Sequence, residues 1–163
     1  MRLTEIISEF EKRIPLQQAE DFDNVGLLCG NPSNEITGIL ICHDALESVV
    51  EEAIKNKTNL IVCFHPIIFS GLKSITGKNY VERSVMKAIE NKIAIYAIHT
   101  AFDNDFFGVN FGICQALGLK NNNILMPKKK GLLQMLVYVP NNNVETVKHS
   151  LFEAGAGQIG FYD

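Results

Sequence analysis

Three short apolar runs, each closed by a histidine and separated from the next by a helical pattern, constrain this chain more than any other feature. Residues 38–42 (GILIC) lead into His43-Asp44, residues 60–64 (LIVCF) into His65-Pro66, and residues 93–98 (IAIYAI) into His99-Thr100. Between them, Leu46, Val49, Val50, Ala53 and Ile54 fall on one side of a helix, as do Val81, Val85, Met86 and Ile89 over 80–91. Apolar-through strands alternating with amphipathic helices predict an α/β fold: a mostly parallel sheet with helices on both faces and right-handed crossovers. Strands that run the same way end at the same edge, where open α/β sheets place their sites. His43, Asp44, His65, His99 and the stretch through Asp103 are therefore expected along one rim.

The rest of the chain frames that unit. Leu3, Ile6, Ile7, Phe10 and Ile14 have helical spacing and Pro15 closes the segment, so residues 3–14 read as a first helix. Asp23-Asn24 and Gly26 precede a short apolar run, and Gly30-Asn31-Pro32 supplies a turn. A further helix is expected from Val109 to Leu117, ending at Gly118. Pro127 and Lys128-Lys129-Lys130 then read as a solvated linker. Past it the pattern restarts, with a strand over 132–139, a turn at Pro140 and a helix over 144–155 capped by Gly155. The domain expectation is residues 1–127 as an amino-terminal lobe and 131–163 as a partial α+β unit, too small to bury a core by itself.

Composition narrows the function classes. Net charge is −3 over 163 residues, with one basic run, which gives no broad field for nucleic acid or an anionic membrane. No apolar run approaches the ~20 residues that a membrane span needs, and charges interrupt the amino terminus, unlike a secretory signal. A cytoplasmic location is expected. The four cysteines lack Cys-x-x-Cys spacing and read as reduced, mostly buried thiols. Phosphate-cradling, dinucleotide-binding and nucleophile-elbow motifs are missing. Ala154-Gly155-Ala156-Gly157 follows a helix, so it reads as a C-cap and not as a phosphate loop.

The rim residues each admit two readings. His65, aimed by the rigid Pro66 beside it, is either a metal ligand or a satisfied strand-end residue. Asp103, expected on the loop after the third strand, is either a ligand or a turn former or helix cap. Imidazole nitrogen and carboxylate oxygen are the donors that Mn, Fe and Zn accept. His99 is expected to support the site, orienting Asp103 or holding the loop by a hydrogen bond. His43 donates to Asp44, ligates weakly, or stands exposed in solvent. His149, on the last helix, reads as surface.

Three ordered stretches carry a family resemblance. Phe22-Asp23-Asn24-Val25-Gly26-Leu27 resembles an Asp-Asn-x-Gly-Leu signature. Cys63-Phe64-His65-Pro66-Ile67-Ile68-Phe69 is similar to a His-His-Pro segment. His99-Thr100-Ala101-Phe102-Asp103-Asn104, with Gly108-Val109-Asn110, resembles a His-Thr-x-x-Asp…Gly-x-Asn segment. Together they resemble the Nif-three-like family, often labelled GTP cyclohydrolase I type 2 homologues, over about residues 1–120. Residues 155–162 resemble the opening of the PII-like domain that some members insert between two halves of the core.

The resemblance implies a dinuclear centre of Fe, Mn or Zn, two metals per intact site, inside a ring-shaped homohexamer. It makes His65 the second histidine of the pair and Asp103 the ligating aspartate. Phe64 stands where the family carries the first histidine, and a phenyl ring cannot ligate. The family's remaining histidine and glutamate come from a carboxyl-terminal half, which makes this chain read as truncated, with two of five ligands. Two functions follow as expectations. One is a metal-binding protein, a metal-dependent hydrolase on a nucleotide-like small molecule, although no residue marks a guanine pocket. The other is a non-catalytic oligomeric scaffold that has lost the metal, which a downstream His-x-x-x-Glu-like element would argue against.

Overall fold

The computed structural model describes residues 1–127 and 134–158. The chain divides into two compact units, Met1–Ile124 and Leu125–Asp163.

The first unit is built on a four-stranded sheet: β1 (Gly26–Cys29), β2 (Ile39–Cys42), β3 (Leu60–Cys63) and β4 (Ala94–Ala97), in the spatial order β1-β4-β3-β2. β2, β3 and β4 are mutually parallel, with Ile39 opposite Leu60 and Leu60 opposite Ala94. This is the expected α/β arrangement. β1 joins the far edge antiparallel to β4, through a register irregularity between Leu27 and Cys29. Every residue of β3 and β4 is buried, as interior parallel strands require.

Both faces of the sheet are covered. On one face, α1 (Leu3–Arg13) sets Leu3 and Ile6 against Leu60, Val62, Ala94 and Tyr96. On the other, α2 (Glu47–Asn56) and α3 (Tyr80–Glu90), the two parallel crossovers, set Val50, Ala53, Val85 and Ala88 against Ile61, Cys63 and Ile95. α3 starts at an N-cap whose Asn79 side chain accepts the Glu82 backbone N–H at 2.9 Å. The Glu82 carboxylate in turn accepts the backbone N–H groups of Thr76 and Lys78, which hold its carboxyl below the ordinary value. α2 and α3 are tied on the surface by Arg83–Glu47 and Lys87–Glu51 ion pairs.

Beyond β4 the chain turns at once into a short helix, α4 (His99–Asp103), and then α5 (Val109–Ala116). Asp103 thus ends a helix instead of lying on a loop. The reason is local: Ile98 already has helical backbone angles, and the Asn104 N–H returns to the Thr100 carbonyl. Gly108 precedes α5 at a close approach, where a Cβ would sit 1.8 Å from the Phe102 carbonyl oxygen. α5 ends as expected, with Gly118 at φ +70°.

In the second unit, α6 (Val144–Glu153) is the expected helix, closed by Gly155 at φ +95°. The strand expected over 132–139 is corrected in part. Residues 134–139 form no strand, because a strand is fixed by ladder hydrogen bonds and none runs to them among the described residues. Residues 132–133, the lysine run Lys128-Lys129-Lys130 and the end of the PII-like stretch lie outside the described residues. Among the described residues, no helix is long and apolar enough to cross a membrane.

Candidate metal centre

The parallel ladder continues past the ends of its strands and sets three histidine segments side by side. The Phe64 N–H donates to the Cys42 carbonyl and the His65 N–H to the His43 carbonyl, at 3.1 and 3.0 Å. On the next strand, the Ile98 N–H donates to Cys63 O and the His99 N–H to Phe64 O. Backbone pairing alone therefore brings His43, His65 and His99 to neighbouring positions on the carboxyl rim, as the strand pattern predicts.

Asp44 is the hub of the first cluster. Its Oδ1 lies 2.8 Å from His65 Nδ1 and its Oδ2 lies 3.0 Å from His43 Nδ1. An ionised carboxylate only accepts, so each ring carries a proton on Nδ1. These hydrogen bonds, from His65 first and His43 next, hold the Asp44 carboxyl below its ordinary value. The three side chains stay open to solvent: His43 is 67% exposed, Asp44 51% and His65 45%. One donor atom from each residue lies within 4.8 Å of the other two. His43 thus hydrogen-bonds Asp44 while its ring stays open to solvent.

Asp23 is the hub of the second cluster. Its side chain is fully buried and its Oδ1 accepts His99 Nδ1–H at 2.8 Å. The backbone N–H of Asn24 also donates to Oδ1, while the backbone N–H and hydroxyl of Thr100 donate to Oδ2. Burial pushes the Asp23 carboxyl up, but the hydrogen bonds of Thr100, His99 and Asn24 outweigh it and leave the carboxyl below its ordinary value. His99 thus holds a loop, one of its two expected roles, and its carboxylate partner is Asp23 and not Asp103. Its ring sits edge-on to His65, with centroids 5.4 Å apart, which joins the two clusters.

Phe64 fills the space between them. Its ring stacks on His43 at 5.3 Å and meets His99 edge-on at 5.4 Å. Asp103 is half-buried at the end of α4, its carbonyl accepting the Asn110 side-chain amide at 3.2 Å. Among the described residues, the one group of three mutually close donors is His43, Asp44 and His65, and Asp103 is outside it. Asp23 and Thr100 were missing from the sequence-derived site, although both lie inside its motifs. The signal was there: a half-buried strand-end histidine needs a partner for Nδ1, and Asp23 is the acidic residue of the signature before Gly26.

Nearby thiols take no visible part. Burial, with Asp44 and Glu52 adding to it, pushes the Cys42 thiol up to about 11, and burial pushes Cys63 to about 12. A hollow of about 770 Å³ opens between β1 and α3, lined by Leu28, Ile68, Leu72, Ile75, Val85 and Ile89 among others, and no rim donor lines it. His149 is on the surface, 3.3 Å from Glu153.

The profile of the family described as Duf34/NIF3 (NGG1p interacting factor 3) matches residues 1–160. The chain belongs to the Duf34/NIF3 family. Among NIF3 relatives, a Staphylococcus epidermidis protein named "GTP cyclohydrolase 1 type 2 homolog" is 36% identical over all 163 residues, which cover 44% of that protein. A Bacillus cereus protein related to NIF3 has a solved structure that matches with TM-score 0.75 and 37% identity, over 99% of this chain and 45% of that one. The crystal structure of a Staphylococcus aureus protein matches with TM-score 0.76 and 32% identity, over 97% and 45%. This NIF3 chain thus spans less than half the length of the relatives it matches.

Proposed function

We propose that this NIF3 chain binds a divalent transition metal at the carboxyl rim of its sheet, and that it contributes to a metal-dependent hydrolase acting on a nucleotide-like small molecule. The observation that carries the reading is the convergence of His43, Asp44 and His65, with His99 behind them, at the one edge where three parallel strands end. The donor set fits in kind, because imidazole nitrogen beside carboxylate oxygen suits Fe, Mn and Zn. His65 and Asp103 would hold the metal, as the family resemblance expects, with two metals in a complete site and self-association into a hexamer.

When bound, such a metal supplies a water of lowered pKa and a positive charge where the reaction develops negative charge. The chain's own residues do the positioning. Asp44 accepts the Nδ1–H of His65 and so fixes the orientation of that ring. Asp23 does the same for His99, whose edge then limits the room beside His65. The relatives' name points towards a purine nucleotide as the class of substrate.

The test is hydrolysis of nucleoside triphosphates by protein loaded anaerobically with Fe, Mn or Zn, beside Asp103→Ala. Turnover that follows metal loading and is lost in the variant is expected. Turnover that ignores both would overturn the hydrolase reading. A second reading, a non-catalytic oligomeric scaffold, is favoured by one observation: the Phe64 ring packs on His43 and His99 and knits the rim together without a metal. A chain that retains no metal and still self-associates would support it.

A further inference from the structure

His43, Asp44 and His65 come from two adjacent strand ends, and their hydrogen-bonded spacing is a few tenths of an ångström short of that of a tetrahedral cation site, a gap that small side-chain rotations close. Metal bonds of 2.0–2.2 Å place the donors of a tetrahedral site about 3.4 Å apart. Here the Asp44 oxygens lie 2.8 and 3.0 Å from the two imidazole nitrogens, and one donor atom of each residue falls within 4.8 Å of the others. We propose that these three residues form a one-metal site of their own, independent of Asp103, which takes Zn2+ or a cation of like preference.

Three features support the assignment. Two neutral imidazoles and one carboxylate are a donor set that zinc accepts with a fourth position left open. A cation seated among the three takes the place of the two Nδ1 protons that Asp44 now accepts, and in each neutral ring that single proton moves through solvent to Nε2, which frees the Nδ1 lone pair for the metal. Packing also holds the rings in place: Phe64 stacks on His43 at an interplanar angle of 16°, and the His43 and His65 centroids lie 4.3 Å apart. These contacts limit ring rotation before a metal arrives, which reduces the ordering that binding would cost. All three side chains reach solvent, so entry of the ion needs no opening of the core.

The inference rests on the reading that this rim binds a metal and replaces its His65–Asp103 pair, because a His65 ring that ligates through Nδ1 and keeps a proton on Nε2 does not serve both sites. The experiment is titration of the full chain with Zn2+ by calorimetry and with Co2+ by visible absorption, for the wild type, His43→Ala, Asp44→Asn and Asp103→Ala. His43 is largely exposed, and a circular dichroism spectrum of each variant checks that the fold is kept. The expected result is one ion per chain and an intense d–d band of four-coordinate cobalt. His43→Ala and Asp44→Asn should weaken binding at least about 10-fold, and Asp103→Ala should change it less than about 3-fold. Binding that survives His43→Ala and is lost in Asp103→Ala would overturn this site and leave the dinuclear reading standing. A wild-type chain that binds neither ion overturns it outright.

Discussion

Asp23 shows how one side chain organises the rim. Four donors surround its buried carboxylate, two on each oxygen. Asp23→Asn keeps the size but turns an NH2 group towards two donors, so two hydrogen bonds to a charged acceptor are lost at a cost of about 2 kcal/mol each. Urea unfolding should show that loss. Because folding lowers the Asp23 carboxyl, its stabilisation is present above the ordinary carboxylate range and disappears as pH falls through the lowered value. Wild-type stability should therefore fall more steeply than that of Asp23→Asn as pH drops below about 4, and equal slopes would contradict the role. At this scale the sequence was legible where bonding is local. The His43–Asp44 pair lies between neighbours, and His65 sits at a strand end that periodicity marks. The His99–Asp23 bond joins residues 76 positions apart, on elements whose contact no periodicity encodes.

Elements were legible in proportion to how far their own residues determine them. α2, α3 and the three parallel strands follow from apolar spacing, since the same side chains that make the pattern fill the two cores. The direction of β1 does not, because four residues bounded by glycines pair either way and β4 decides. The stretch 134–139 has strand composition and no ladder among the described residues, which shows propensity giving way to partners. α4 is a helix that no 3.6-residue pattern of five residues could announce. Between α4 and α5, Gly108 has an ordinary negative φ of −80°, so its requirement is space and not conformation. Gly108→Ala would drive a methyl into the Phe102 carbonyl and should cost a few kcal/mol, displacing α4 and its Asp103. Thermal melting of that variant checks it, and a melting temperature equal to wild type would contradict the close approach.

For the whole molecule, sequence and structure converge on an α/β unit whose strand-end residues His43, His65 and His99 are collected on one rim by parallel strand direction. The lobe carries its own two cores and its own donor cluster, while the chain covers 44% of its S. epidermidis relative. α5 leaves Phe107, Ile113 and Leu117 exposed beside it, and the Phe106, Phe107 and Phe111 rings cluster at its start. Such apolar surface suits the self-association proposed above. His65 is common to both metal-binding arrangements considered, which makes it the decisive residue. The measurement is metal content by elemental mass spectrometry of the purified chain after anaerobic loading with Fe, Mn or Zn, beside His65→Ala. Near-stoichiometric metal in the wild type and its loss in the variant is the predicted result. Equal metal in both, or none in either, would contradict a metal-binding rim.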